Sequence, residues 1–233
     1  MPGIRHIAFD GDDTLWHHEQ LYALTQERFR ELVRRHVPAA DVDDRLYATE
    51  MHNLELFGYG VKGFTLSMIE TAIELTEGRI PAADLAELIA WGKEMLARPV
   101  ELIEGVHAAL DALDGRFELM VVTKGDLFDQ ESKLARSGLA ERFAHIEIVS
   151  EKDEATYRRL LDRRRVDRDG FLMVGNSMRS DVLPVVRIGA RAVHVPYPLT
   201  WSHEVVRDDA LPAGAFRLGN LAELPGLVET IDG

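Results

Sequence analysis

Phe9-Asp10-Gly11-Asp12-Asp13-Thr14-Leu15 closes the first apolar run of the chain, Ile7-Ala8-Phe9, with three aspartates and a threonine hydroxyl in quick succession. An unbroken apolar run that stops at a carboxylate reads as a strand buried on both faces and ending at a ligand. Ile4 extends this run backwards. Four more runs of the same type come later: Phe117 to Val122, Ile146 to Val149, Phe171 to Val174 and Ala192 to Val195. Helical patterns lie between the later runs. Val106, Leu110 and Leu113 recur at helical spacing, and Leu127, Leu134 and Leu139 do so more loosely. Tyr157, Leu160 and Leu161 form another set. Val182, Val185, Val186 and Ile188 form the last, with Gly189 as its stop signal. Alternation of this kind predicts an α/β fold with a parallel sheet and helices on both faces.

Residues 17–98 break the rhythm and offer no strand. Leu21 to Val33, Leu46 to Leu56, Leu66 to Leu75 and Leu85 to Leu96 read as helices, punctuated by Pro38, Pro81 and Pro99. Phe57 to Phe64 reads as a glycine-rich aromatic loop between two of them. The expected architecture is therefore a Rossmann-like parallel-sheet core, residues 1–16 and 99–233, with an inserted all-helical cap domain, residues 17–98.

The 233 residues suffice for a proper core, and 46% hydrophobic with 29% charged residues is an ordinary globular balance. A formal net charge of −13 repels nucleic acid and anionic membranes at long range, so neither is an expected partner. The absence of cysteine excludes disulfides, thiolate catalysis and cysteine-ligated zinc. The N-terminus lacks the apolar stretch of a signal peptide, and no run is long enough to span a bilayer. A cytoplasmic location is the expectation.

If the strands are parallel neighbours, the residues after each share one crevice. These are Asp10, Asp12, Asp13 and Thr14; then Thr123, Lys124 and Gly125; then Ser150, Glu151 and Lys152; then Gly175, Asn176, Ser177, Ser180 and Asp181. Carboxylates with a hydroxyl and no soft ligand suit a hard cation such as Mg²⁺.

In this order the features resemble the haloacid dehalogenase-like hydrolase superfamily, in its helical-cap branch. Asp10, Asp12 and Thr14 match the Asp-x-Asp-x-Thr motif. Val121-Val122-Thr123 matches the strand ending in Ser or Thr, and Lys152 matches the lysine. Gly175 to Asp181 matches the last motif, except that Asn176 stands at its first acidic position. The resemblance implies a phosphatase with Asp10 as nucleophile and Asp12 as acid and then base. It implies Thr123 on a phosphoryl oxygen and Lys152 as counter-charge. It further implies Mg²⁺ held by Asp10, the Asp12 carbonyl, and Asn176 or Asp181. The substrate would be a small phosphorylated metabolite. At the ordinary aspartate pKa only about 0.1% of Asp12 is protonated at pH 7. Acid chemistry therefore leads one to expect that the closed site or bound substrate raises that pKa.

Simpler readings stand beside these. Aspartates after a strand also form turns and helix caps. Asp13 has no assigned role, and Lys124 reads equally as a phosphate contact or an exposed lysine. His17 and His18, adjacent in sequence, do not share a helix face and read as solvated or hinge residues. Arg158 to Arg165 reads as a solvated face, and Trp16 and Trp91 as packing residues. Tyr59 and Lys62 become substrate contacts only through the resemblance. No P-loop or Gly-x-Ser-x-Gly motif is present. The rivals are a 2-haloacid dehalogenase, which needs neither the acid nor the metal, a phosphomutase, and a weakly active protein that binds a phosphorylated ligand. Asp12 favours the phosphatase; Asn176 alone supports the last rival.

Overall fold

The computed structural model describes residues 3–206 and 211–232. Residues 1, 2, 207–210 and 233 of the expected core domain lie outside these. The chain divides into two compact units. One comprises Met1–Glu19, Val100–Lys124 and Gln130–Gly233, and the other Gln20–Pro99 and Gly125–Asp129.

The first unit is built on a six-stranded parallel sheet. Its strands are β1 (His6–Phe9), β2 (Glu118–Lys124), β3 (His145–Val149), β4 (Phe171–Gly175), β5 (Arg191–His194) and β6 (Ala215–Arg217), in the order β3-β2-β1-β4-β5-β6. Phe9 is level with Val121 on one side and Val174 on the other. From β1 the chain winds outward through β2 and β3. It then returns to β4 beside β1 and winds the other way, so the topological switch point lies at the carboxyl ends of β1 and β4.

The period-two alternation of each strand feeds both faces. Phe9, Leu119, Val121, Leu172 and Val174 pack with α5 (Val106–Leu113), α6 (Leu127–Ser137) and α9 (Leu224–Asp232). Ala8, Met120, Val122, Phe171 and Met173 pack with α7 (Glu154–Arg164) and α8 (Leu183–Arg187). Burying one such aliphatic or aromatic side chain contributes about 1.5–3 kcal/mol relative to leaving it exposed.

Three details differ from the sequence reading. β6 is three residues long, too short to display a period. β2 runs on to Lys124, so Thr123 and Lys124 belong to the strand rather than to the loop after it. The helix expected after Asp181 starts with a turn of π-helix, Met178–Val182, before α8.

The second unit carries α1 (Glu19–Arg34), α2 (Val42–Phe57), α3 (Val61–Leu75) and α4 (Ala82–Ala97). They share a core of Phe29, Leu32, Leu46, Phe64, Met68, Leu88 and Trp91. The aromatic loop expected over residues 57–64 shrinks to Gly58–Gly60. Both glycines have positive φ, +71° and +120°, which turns the chain tightly enough for Lys62 and Phe64 to enter α3. Trp91 packs as expected, with the Arg28 guanidinium 4.5 Å from its ring centroid. Trp91→Ala should destabilise this unit by about 3–5 kcal/mol, read as an earlier urea transition with the circular-dichroism signal of the sheet less affected.

Candidate active site

The Asp10 N–H donates to the Val174 carbonyl at 2.9 Å, so the chain stays zipped to β4 one residue past β1. The backbone then turns back, and the Leu15 N–H donates to the Gly11 carbonyl at 2.8 Å. A Cβ at Gly11 would lie 2.8 Å from the Trp16 ring and 3.2 Å from Thr123 Oγ1, which places Thr123 against this loop. Asp13 turns the chain at φ +60°, and its carboxylate accepts the N–H groups of His18 (2.9 Å) and Glu19 (3.0 Å). Asp13 therefore caps the entry to α1. Burial pushes its carboxyl up to about 7.

The centre of the site is the Lys152 ammonium. It donates to Asp10 Oδ1 and, at 2.7 Å, to Asp181 Oδ1, and all three residues are buried. The π-turn folds Asp181 back over the end of β4. A Cβ at Gly175 would lie 2.2 Å from Asp181 Oδ2, which instead accepts the Ser177 N–H at 3.0 Å. The Asn176 N–H donates to Thr14 Oγ1 at 3.0 Å, and that hydroxyl stands 3.4 Å from both Asp10 Oδ2 and Asn176 Oδ1. Asp10, Thr14, Lys152, Asn176 and Asp181 are thus brought together at the switch point.

Burial drives the Asp10 carboxyl up to about 7; Lys152 opposes this and Asp181 adds to it. Burial likewise works against the Lys152 ammonium, but Asp10 and Asp181 outweigh it and hold its pKa above the ordinary lysine value. Two buried carboxyl groups share one ammonium, so ionising both leaves a negative charge uncompensated. The oxygen donors are hard, so a small dication fits both the charge and the donor chemistry. Among the described residues no three His, Cys, Asp or Glu side chains are grouped to hold a metal ion. The donor set here is two carboxylates and the Asn176 amide.

Asp12 has partners of its own. Its carboxylate accepts from Trp16 Nε1 (2.6 Å), Gln130 Nε2 (2.8 Å) and Lys133 Nζ (2.7 and 2.9 Å), with His18 Nε2 3.4 Å away. Burial acts to raise its pKa, but His18, the Lys133 ammonium and the hydrogen bonds from Lys133 and Trp16 hold it below the ordinary range. Burial drives His18 itself down to about 4, so at neutral pH the imidazole is uncharged and Lys133 carries the pairing. These neighbours, His18 and then Lys133, lower the Asp12 pKa, so the rise that an acid role requires has to come from the closed site or the bound substrate. His18 is half-buried just before α1, and His17 Nδ1 lies 2.7 Å from the Tyr197 hydroxyl.

Lys124 is not exposed. Its ammonium donates to Ser180 Oγ (2.9 Å) and to Glu204. Glu204, in the segment after β5, also accepts from the Ser177 and Ser180 hydroxyls. Burial opposes its ionisation, but Lys124 and these hydrogen bonds bring its carboxyl down to about 2.

Sequence reasoning missed Gln130, Lys133 and Glu204. A signal existed for the first two. The apolar spacing on α6 is loose because buried inward positions 130 and 133 carry polar side chains. Nothing in the sequence marks Glu204.

The model of a haloacid dehalogenase-like hydrolase family matches residues 4–189. A haloacid dehalogenase-like family hydrolase from Xanthomonas campestris is 41% identical, with a TM-score of 0.89 over 99% of this chain and 92% of its own. A putative HAD-hydrolase from Bacillus subtilis, bound to magnesium, is 18% identical, with a TM-score of 0.67 over 97% of this chain and 99% of its own. A 2-haloacid dehalogenase from Pseudomonas syringae is 22% identical, with a TM-score of 0.64 over 97% and 99%. A search of curated proteins finds no match. The chain belongs to the haloacid dehalogenase-like hydrolase family. No helix among the described residues is long and apolar enough to cross a membrane.

The depressed Glu204 carboxyl makes a prediction about acid. A group whose folded pKa lies below its ordinary value of 4.5 stabilises the fold above that pH and loses the effect as pH falls toward about 2. Glu204→Gln should cost roughly 1–3 kcal/mol at pH 7. The gap from wild type in thermal unfolding should close between pH 4.5 and 2.

Proposed function

We propose that this hydrolase is a magnesium-dependent phosphatase, cleaving a small phosphomonoester metabolite through an aspartyl-phosphate on Asp10. The reading is carried by one arrangement: buried Asp10 and Asp181 sharing Lys152 at the switch point, with Asp12 two residues along the same loop. Asp10 attacks phosphorus through a carboxylate oxygen, and the bond to the leaving oxygen breaks. Lys152 offsets the repulsion between carboxylate and phosphate. Thr123, beside Gly11, holds a phosphoryl oxygen. Asp12 passes a proton to the leaving oxygen and takes one from the water that cleaves the aspartyl-phosphate. Asp10, Asn176, Asp181 and the Asp12 carbonyl would hold Mg²⁺. The ion would supply the positive charge that Lys152 alone does not. In this reading Lys124 steadies the Ser177–Ser180 segment and reaches phosphate only if it leaves Glu204. An acidic, cysteine-free chain fits a cytoplasmic enzyme acting on metabolites rather than on nucleic acid or membranes.

A 2-haloacid dehalogenase is the second reading. The observation in its favour is that Lys133 holds Asp12 as a carboxylate, with no proton for a leaving oxygen. A dehalogenase, however, gives no use to a half-buried carboxylate with this many partners at that position.

Phosphate release from an aryl phosphate and from a metabolite panel, with and without Mg²⁺, tests the proposal. Wild type should turn over only with the metal, and Asp10→Asn should lose about 10³-fold or more. Metal-independent halide release from a 2-haloacid, without phosphate release, would establish the second reading. Asn176→Asp adds a charge to the metal set and should lower the Mg²⁺ concentration for half-activation; an unchanged or higher value contradicts the assignment of Asn176.

A further inference from the structure

Glu204 is held by three side chains at once. Its Oε1 accepts from the Lys124 ammonium at 2.5 Å. Its Oε2 accepts from the Ser180 hydroxyl at 2.7 Å and from the Ser177 hydroxyl. Ser180 Oγ in turn accepts from Lys124 at 2.9 Å, so an ammonium and two hydroxyls converge on one carboxylate. Both serines are buried, at 7% and 3% exposure, and the Lys124 side chain is 13% exposed. Burial opposes ionisation of Glu204, yet Lys124 and the hydroxyls hold its carboxyl down at about 2. Donors that outweigh desolvation for one carboxylate have the chemistry of an oxyanion site. Lys124 ends β2 and Ser180 follows β4, with β1 and its Asp10 between these strands in the sheet.

The carboxylate in that place belongs to a segment that packs lightly. Residues 196–206 follow β5, and none of their side chains is buried. Leu199 and Val205 are exposed. Polar contacts tie the segment down as well: the Tyr197 hydroxyl lies 2.7 Å from His17 Nδ1, and the His203 carbonyl accepts from Arg179 at 2.5 Å. Glu204 can therefore leave without unpacking a buried apolar side chain. The Glu151 carboxylate, 3.6 Å from the Lys124 ammonium, keeps that charge paired when it does.

We propose that Lys124, Ser177 and Ser180 form a binding site for a small oxyanion, filled at rest by the chain's own Glu204. An incoming carboxylate, sulfate or phosphoryl group displaces Glu204 together with its segment. The site is independent of the reaction that Asp10 performs, and so is its test.

Sulfate is the probe, added to metal-free protein with chloride holding the ionic strength constant. A tethered carboxylate competes at a high effective concentration, so Glu204→Ala should bind sulfate tighter than wild type by on the order of tenfold or more in isothermal titration calorimetry. Adding Lys124→Met to Glu204→Ala should abolish the gain. In wild type, sulfate should raise the acrylamide quenching of Trp201, whose ring lies 4.9 Å from that of His203 on the same segment, read as the difference from Trp201→Phe. If Glu204→Ala folds poorly by circular dichroism, Glu204→Gln and the wild-type Trp201 signal carry the test. Equal sulfate affinity in wild type, Glu204→Ala and the double variant, with Trp201 unmoved, would make Lys124 and the serines mere anchors of the segment and overturn the inference. Short alkyl phosphates with and without a terminal carboxylate then separate the sources of the anion. A stronger Trp201 response to the carboxylate form upholds the site as one for a substrate's second anionic group; a response no stronger than that to sulfate upholds it as one for a free anion.

Discussion

One ammonium holds the site together. Lys152 reaches Asp10, 142 residues before it in sequence, and Asp181, 29 residues after it. Two carboxylates crowded into a buried space repel each other, and burial alone already drives Asp10 toward its neutral form. Lys152 makes the crowding tolerable. Removing one member of such a buried set leaves a charge unpaired, at a cost of about 3–5 kcal/mol. The sheet order exists to serve this meeting: β1 and β4 lie side by side only because the winding reverses between β3 and β4.

The net charge of −13 acquires a local meaning here. Lys152, Lys133 and Lys124 are each drawn inward onto a carboxylate, Asp10 and Asp181 for the first, Asp12 for the second and Glu204 for the third. These cations sit among carboxylates in and beyond the carboxyl ends of the strands, while the chain as a whole carries net negative charge. A diffuse field and a local one of opposite tendency coexist because the interior screens charge far less than water does.

The sheet and the residues at its carboxyl end are legible because strands buried on both faces leave unbroken apolar runs, and each run points at the polar residues just beyond it. Asp10, Thr14, Lys152, Asn176 and Asp181 all come out of that rule. Hidden from it is whatever depends on a partner far along the chain. Lys133 looks like the polar side of an amphipathic helix until Asp12 faces it, and Glu204 looks like any acidic loop residue until Lys124 and two serines do. The direction of the Asp12 shift is hidden for the same reason: an aspartate in a motif does not reveal the ammonium beside it. Short β6 and the compact Gly58–Gly60 turn escape for lack of length rather than for lack of chemistry.

The turn of π-helix at Met178–Val182 sets a limit on how this chain can vary in length. The Leu183 N–H bonds to the Met178 carbonyl, one residue wider than an α-turn, and Ser177 caps its start through the Ser180 N–H. Dropping a residue from it would swing the Asp181 side chain by about 100° around the axis, away from Lys152 and off the glycine at 175. The count of residues between Gly175 and Asp181 is therefore as much a part of the site as their identity. Insertions and deletions in this chain have to be taken up elsewhere, in the connections between strands and helices that touch no carboxylate.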